Sequence, residues 1–482
     1  MPNSTPLHKT KIVATAGPAS DKPDVLRAMI VGGMNVLRLN LSHGSYEEHS
    51  QRVGRLRTVA ASLGAHVAIM VDTKGIEVRT GLLADGPVEL VPGQEFALFV
   101  DTRPGDANGV SVSYRNLVNE VEPGCTVLLD DAAIEMKVER VSSDAIICRV
   151  VHGGLLGDRK GVNLPETQLA ISALSPEFLK NLEAEIEFAV ANTVDYLAAS
   201  FVQSGEEVEH IRQLLAVRGS DIPIIAKIEN RAGVVNLEAI VAASDGIMVA
   251  RGDLGVELPL AEVPSTQKRL IRATVMAGKP VITATQMLAS MEVNPKPTRA
   301  EASDVANAIL DGTSAVMLSG ESAVGKYPVQ AVETMAAIAL RAEASLQEFG
   351  FLQTINVTRT NRVAEAVGQA AAELAQNLPA QAIITLTDSG FTARLISRHR
   401  PECAILAVTS SESVARRLAM NWGVIPLLCD EHSAANDDAR TAFGISMALE
   451  RGYLEVGDTV VVTHGTRVGT GGTDMIKVIS AS

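Results

Sequence analysis

The clearest chemistry in the chain gathers around one lysine. Lys227 stands inside the apolar run Ile222–Ile228, Glu229 follows that run at once, and Arg251, Gly252 and Asp253 follow the next run, Gly246–Ala250. Two carboxylates on consecutive turns can share one magnesium ion, leaving other positions for phosphate and water. A Schiff-base role for Lys227 is the chemical alternative; adjacent carboxylates and a metal argue against it by keeping the amine charged. Arg38 and Arg79 carry guanidinium forks, which suit phosphate oxygens. Asn40, Ser42, Asp72 and the Thr73 carbonyl offer only oxygen donors with one net charge, a set suited to potassium.

These residues need elements to position them. Eight apolar runs of strand length alternate with helix-patterned stretches: Lys11–Thr15, Asn35–Leu39, Val67–Val71, Val194–Ala199, Ile222–Ile228, Gly246–Ala250, Pro280–Thr285 and Ala315–Leu318. Continuous apolar runs suit strands buried on both faces, and eight of them predict a (β/α)8 TIM barrel. Each run ends in polar residues, among them His43, Lys74, Ser200, Asn230, Thr285, Ser319 and Glu321. A barrel collects such ends into one site. Polar strand-to-helix turns with helix caps are common, and they account for a Ser or an Asp. They do not account for Lys227 or Arg38.

The third and fourth runs lie roughly 120 residues apart, too far for one crossover. The interval alternates like β-structure at Val127–Leu129 and Ala145–Val151, with Gly-Pro and Pro-Gly punctuation. It predicts a small inserted β domain, a β-barrel lid over the mouth of the site. Beyond residue 345, strand patterns at Ala382–Thr387, Ala404–Thr409, Val424–Leu428 and Thr459–Thr463 predict a separate α/β domain. The expected boundaries are 1–77 with 167–345 for the barrel, 78–166 for the lid and 346–482 for the C-terminal domain.

Apolar residues make up 46% of the 482, which excludes disorder. Lys and Arg number 42 against 56 Asp and Glu, a net charge of −14, so nucleic acid and anionic membrane are poor partners. An anionic substrate must meet a local cluster of cations. Four cysteines without a Cys-x-x-Cys pair, a polar N-terminus and no long apolar run point to a cytoplasmic protein in a reducing compartment.

The motifs resemble those of the pyruvate kinase family, in family order. They are Lys11-Ile-Val-Ala-Thr-Ala-Gly-Pro-Ala-Ser20, Arg38-Leu-Asn-Leu-Ser-His-Gly44, Asp72-Thr-Lys-Gly-Ile-Glu-Val-Arg-Thr-Gly81, Lys160-Gly-Val-Asn-Leu-Pro165, Ala226-Lys-Ile-Glu-Asn230, Val249-Ala-Arg-Gly-Asp-Leu-Gly255, Ile282-Thr-Ala-Thr-Gln-Met-Leu288, Asn294-Pro-Lys-Pro-Thr-Arg-Ala-Glu301 and Met317-Leu-Ser-Gly-Glu321. The resemblance implies a homotetramer that moves the phosphoryl group of phosphoenolpyruvate to ADP, with Mg2+ (or Mn2+) and K+. It implies Glu229 and Asp253 as magnesium ligands, Lys227 at the transferring phosphoryl group and Arg38 on the substrate phosphate. His43, Arg79 and Lys160, with Asn40, resemble nucleotide contacts. Gly252, Asp253 and Thr285 resemble the seat of the substrate carboxylate, with Thr285 helping to protonate the enolate and Ser319 and Glu321 in the network behind it. Glu77 resembles the residue that accompanies potassium dependence, where independent lineages carry Lys.

Three positions depart from the family pattern. Ile76 stands for Pro at the lid hinge, Asp131-Ala132 for Asp-Gly in the lid, and Glu166 for Gly at its end. In the C-terminal domain, Thr385, Thr387, Asp388, Ser389, Gly390 and Thr392, with Gly469 and Gly471, resemble loops that bind a phosphorylated effector, a sugar phosphate or AMP. Ordinary strand-to-helix turns are the alternative. Two rival functions are a magnesium-dependent aldolase or lyase and a catalytically silent metabolite sensor. The first has no use for Lys160 or the potassium set; the second has no need to keep Lys227, Glu229, Asp253 and Thr285.

Overall fold

Eight parallel strands close a barrel in sequence order in the computed structural model, which describes residues 8–167, 174–350, 362–433, 436–465 and 471–482. They are Lys11–Thr15, Val36–Asn40, Ala68–Asp72, Tyr196–Ala199, Ile224–Ile228, Gly246–Ala250, Val281–Ala284 and Ala315–Leu318. The first strand pairs with the eighth, with Lys11 opposite Ala315. All of these strand residues are buried except Asn40, because helices cover the outside and side chains such as Met70, Ile225 and Met248 fill the lumen. Ala419 and Met420 join that lumen cluster from the C-terminal region.

Local signals start the helices. Ser45 and Glu48 form a reciprocal capping box before Tyr46–Leu63, and Thr298 and Glu301 form another before Arg299–Leu310. Asn230 caps the turn after strand five by accepting from the Gly233 amide at 2.8 Å.

Between the third and fourth barrel strands the chain builds a six-stranded sheet and a two-stranded one. Phe96, Leu98, Val127, Met136 and Ile146 form their shared core. Ile76 and Val78, at the point of entry, belong to the same core. The Ile at the hinge is therefore held by packing, where a Pro would be held by its ring. Asp130, Asp131 and Ala132 take φ values of 53°, 54° and 67°, one left-handed turn that Gly would adopt without strain. Glu166 caps the strand Thr126–Leu129, accepting from the Thr126 amide at 2.6 Å and its hydroxyl at 3.0 Å.

The C-terminal region forms a five-stranded sheet in the order Val424–Leu428, Ala404–Thr409, Ala382–Leu386, Thr459–Gly465, Thr473–Ser480. The last strand is antiparallel and lies at the edge. Its residues are mostly exposed, and its apolar Met475, Ile476, Val478 and Ile479 are interrupted by Lys477 where its neighbours run on unbroken. No helix among the described residues is long and apolar enough to cross a membrane.

Ion pairs join this region to the foot of the barrel. Asp195, 1% exposed, accepts from Arg57 and from Arg416 at 2.8 Å each, and from the Ile69 amide at 2.8 Å. Arg417 reaches Asp221 at 2.8 Å, and Tyr196 donates to the Arg417 carbonyl at 2.6 Å. Removing Asp195 takes away the buried carboxylate that Arg57 and Arg416 share. An Asp195→Ala variant is expected to lose about 3–5 kcal/mol, read from urea unfolding followed by intrinsic fluorescence.

Candidate active site

Strand periodicity delivers the site. Arg38, Asp72 and Lys227 are residues of strands two, three and five near their C-terminal ends, while Ser200 and Glu229 each follow a strand directly. All five are under 9% exposed. Lys227 Nζ lies 3.0 Å from Asp72 Oδ1 and 2.9 Å from Glu229 Oε1, and donates to Ser200 Oγ at 2.7 Å. Arg38 Nε donates to the other oxygen of Asp72 at 2.6 Å, and its Nη1 to Thr15 Oγ1 at 3.0 Å. The result is a connected chain, Arg38–Asp72–Lys227–Glu229, with two charges of each sign and almost no water.

Burial would drive the Lys227 proton off, but the Asp72 and Glu229 carboxylates outweigh it and raise the amine above its ordinary range. Burial likewise opposes ionisation of Asp72, and Arg38 and Lys227 overcome it, holding the carboxylate below the usual range. Glu229 is left the other way. Burial pushes it up to about 7, with Lys227 opposing the rise and Asp253 adding to it. Burial also raises Asp253. Two carboxylic groups held together, both resisting ionisation and short of positive charge, are what a divalent cation satisfies. Among the described residues no group of three or more His, Cys, Asp or Glu is gathered for a metal. Glu229 and Asp253 are thus a pair of acidic donors that a metal would meet here.

Thr285 follows strand seven. Its hydroxyl accepts from the Gly252 amide at 2.7 Å and donates to the Ala284 carbonyl at 2.6 Å. The Gly252 amide, expected to be free for a substrate carboxylate, is engaged by that hydroxyl. Glu321, 2% exposed, accepts from the amides of Leu288 at 3.0 Å and Ser319 at 2.7 Å. It ties the loops after strands seven and eight together, and its hydrogen bonds go there, not to Thr285.

Of the potassium candidates, Asn40 lies opposite Asp72 on neighbouring strands, while Ser42 and Thr73 line a cavity beside them. Asn40 Oδ1 accepts from the Ser42 amide at 3.1 Å, and the Thr73 carbonyl accepts from Ser200 Oγ at 2.7 Å. Ser42, His43, Thr73, Glu77 and Arg79 line one cavity of about 430 Å³. Glu77 is ion-paired with Arg79. The His43 side chain is exposed, and its carbonyl accepts from His49 at 2.8 Å. A second and larger cleft of about 840 Å³ runs between barrel and inserted sheets. Arg79, Asp131 and Lys160 line it from the inserted side and Asp253 from the barrel. Lys160 pairs with Asp130 at 3.0 Å.

Two contributors escape sequence reasoning. Ser200 is visible only as one more polar strand end, yet it bonds Lys227, Asp72 and the Thr73 carbonyl. Glu185, 3% exposed on the helix Pro176–Ala191, accepts from the Lys74 amide at 3.1 Å. Burial raises it to about 7. Its signal is a lone acid on an apolar helix face.

The C-terminal candidates divide. Thr387 accepts from the Gly390 amide at 2.9 Å, Asp388 pairs with Arg440 at 3.0 Å, and the Ser389 carbonyl accepts from Arg394 at 3.2 Å. Gly390 and Gly471 both have positive φ. The Thr385 hydroxyl is buried in its strand, and the Thr392 hydroxyl is buried against Thr473. Gly469 lies outside the described residues.

A closed parallel barrel with cations and paired carboxylates at its C-terminal mouth, under an inserted β unit, defines an enzyme of charged substrates. The family model "Pyruvate kinase, barrel domain" matches residues 7–332, and "Pyruvate kinase, alpha/beta domain" matches 365–479. Pyruvate kinase of Geobacillus stearothermophilus is 46% identical over 474 residues, 98% of this chain and 80% of the relative. That of Clostridium acetobutylicum is 44% identical over 475 residues, 98% of this chain and 99% of the relative. The chain belongs to the pyruvate kinase family.

Deleting one hydroxyl tests the cluster. Ser200→Ala removes the group that bridges Lys227 to the Thr73 carbonyl. It is expected to lower stability by about 1.5–3 kcal/mol in urea unfolding, the loss for a buried hydrogen bond to a charged group.

Proposed function

We propose that this chain transfers the phosphoryl group of phosphoenolpyruvate to ADP, giving pyruvate and ATP. The observation that carries the reading is the Lys227 amine, kept charged by Asp72 and Glu229 at the barrel mouth. Arg38 lies beside it, and Arg79 and Lys160 line the cleft above. In a chain of net charge −14, this is a local concentration of cations where a polyanionic reaction needs it.

Lys227 faces the transferring phosphoryl group, and Arg38 holds the phosphate of phosphoenolpyruvate. Asp253 and Thr285 receive the substrate carboxylate, with the Gly252 amide holding the Thr285 hydroxyl. Asn40, His43, Arg79 and Lys160 hold ADP. The bond from phosphorus to the enol oxygen breaks as one forms to the terminal oxygen of ADP, and the enolate left behind takes a proton at its methylene carbon. Thr285 serves that protonation, and Glu321, through the Ser319 and Leu288 amides, shapes the loops beside it. Glu229 and Asp253 hold Mg2+ or Mn2+, which when bound neutralises charge on phosphoryl oxygens. Asn40, Ser42, Asp72 and Thr73 hold K+.

Residues 1–77 with 167–345 form the catalytic barrel, 78–166 the lid and 346–482 a regulatory domain. A sugar phosphate or AMP activates through the 385–392 loop with Gly469 and Gly471. The enzyme works in the cytoplasm as a homotetramer.

Pyruvate formation from phosphoenolpyruvate and ADP, with Mg2+ and with or without K+, tests this. Wild type is expected to be active and to lose about tenfold or more without K+, Lys227→Met to lose about 10²–10³-fold, and Glu77→Lys to show a weaker K+ requirement. Folded wild type without activity, sugar phosphates and AMP included in the assay, would reject the assignment.

A further inference from the structure

Thr285 is held where a β-branched residue rarely sits. Its φ is +67°, and that of Gln286 is +52°. Pairing between strands seven and eight stops at Thr283, so the carbonyls of Ala284 and Thr285 run on beyond that ladder. Backbone carbonyls in such a place need donors.

The Arg251 side chain supplies them, sharing the Ala284 carbonyl with the Thr285 hydroxyl, which donates to it at 2.6 Å. It starts immediately after strand six and crosses the end of strand seven. Its Nε donates to the Ala284 carbonyl at 3.2 Å and its Nη2 to the Thr285 carbonyl at 2.6 Å and the Met287 sulfur at 2.8 Å. Its Nη1 is anchored by Asp304 Oδ2 at 2.6 Å and reaches Gln267 Oε1 at 3.5 Å. The side chain is 10% exposed. The next residue, Gly252, holds the Thr285 hydroxyl through its amide at 2.7 Å. Consecutive residues thus grip both the carbonyl and the hydroxyl of one threonine.

We propose that Arg251 is a positioning residue for enolate protonation, setting the left-handed turn that aims the Thr285 hydroxyl, with Asp304 orienting the guanidinium. This rests on the reading that Thr285 faces the enolate. The planar fork spans two successive carbonyls while a third nitrogen meets Asp304; a lysine ammonium can hold one of these partners well but not the whole arrangement. Mispositioning by about 1 Å is enough to cost about 10²-fold in rate.

The test uses the full-length enzyme and two readouts. One is phosphoryl transfer from phosphoenolpyruvate to ADP. The other is deuterium entry into the methyl group of pyruvate in D2O with Mg2+ and K+, the reverse of enolate protonation without phosphoryl transfer. Arg251→Met is expected to slow deuterium entry and kcat by about 10²-fold while the KM for phosphoenolpyruvate changes little. Arg251→Lys should recover part of the loss, and Asp304→Asn should fall in the same direction by less. Should Arg251→Met fail to fold, the other two variants decide. Wild-type deuterium entry in the folded variants, or a change confined to KM, overturns the positioning role alone. A wild-type enzyme inactive in both assays would sink the underlying reading of the site, and this one with it.

Discussion

Four charged side chains, Arg38, Asp72, Lys227 and Glu229, sit almost out of water at the mouth of a barrel, and the rest of the architecture serves that fact. Their exposures are 8%, 1%, 8% and 1%. Buried charges survive only when each is met by a partner and a full complement of hydrogen bonds. Strands two, three and five carry three of the charges, and the turn after strand five carries the fourth. Ser200 and Thr15 supply the neutral bonds that complete the shells. A closed parallel sheet is the scaffold that aims several neighbouring strand ends at one point with little freedom left in any of them.

The cluster is balanced in number but not in strength. Asp72 is satisfied twice, by Arg38 and by Lys227, so it stays ionised. Glu229 shares the Lys227 cation with Asp72 and lies beside a second acid, Asp253, so it resists ionisation. One end of the chain of charges is closed, and the other is short of positive charge. That open end is where a divalent cation fits. The same imbalance keeps Lys227 protonated, which leaves it unable to act as an amine nucleophile and able to stand beside phosphoryl oxygens.

Much of this was legible in the sequence because a barrel strand buried on both faces tolerates almost no charge. Lys227 and Arg38 therefore stood out from their apolar runs, and the eight runs gave the architecture within a residue or two at each end. The final C-terminal strand, Thr473–Ser480, was missed although Met475, Ile476, Val478 and Ile479 lie in it, because Lys477 breaks the run. Ser200 was lost among ordinary polar turns, and Glu185 on a helix face. The Arg251 side chain could not be placed because four of its partners, Ala284, Thr285, Met287 and Asp304, are more than 30 residues away in sequence, and only the long contact to Gln267 is nearer. At Gly252 the expected free amide is instead held by Thr285, a contact between loops that no local motif encodes.

The central claim is that Glu229, paired with Lys227 and short of positive charge, is a carboxylate that a divalent metal would take. Mn2+ binding to the full-length protein in K+ buffer, followed by electron paramagnetic resonance in wild type, Lys227→Met and Glu229→Gln, tests it most directly. The account predicts tighter Mn2+ binding in Lys227→Met, although its activity is expected to fall, and binding weakened by about tenfold or more in Glu229→Gln. Mn2+ binding lost in Lys227→Met, or untouched in Glu229→Gln, would contradict it.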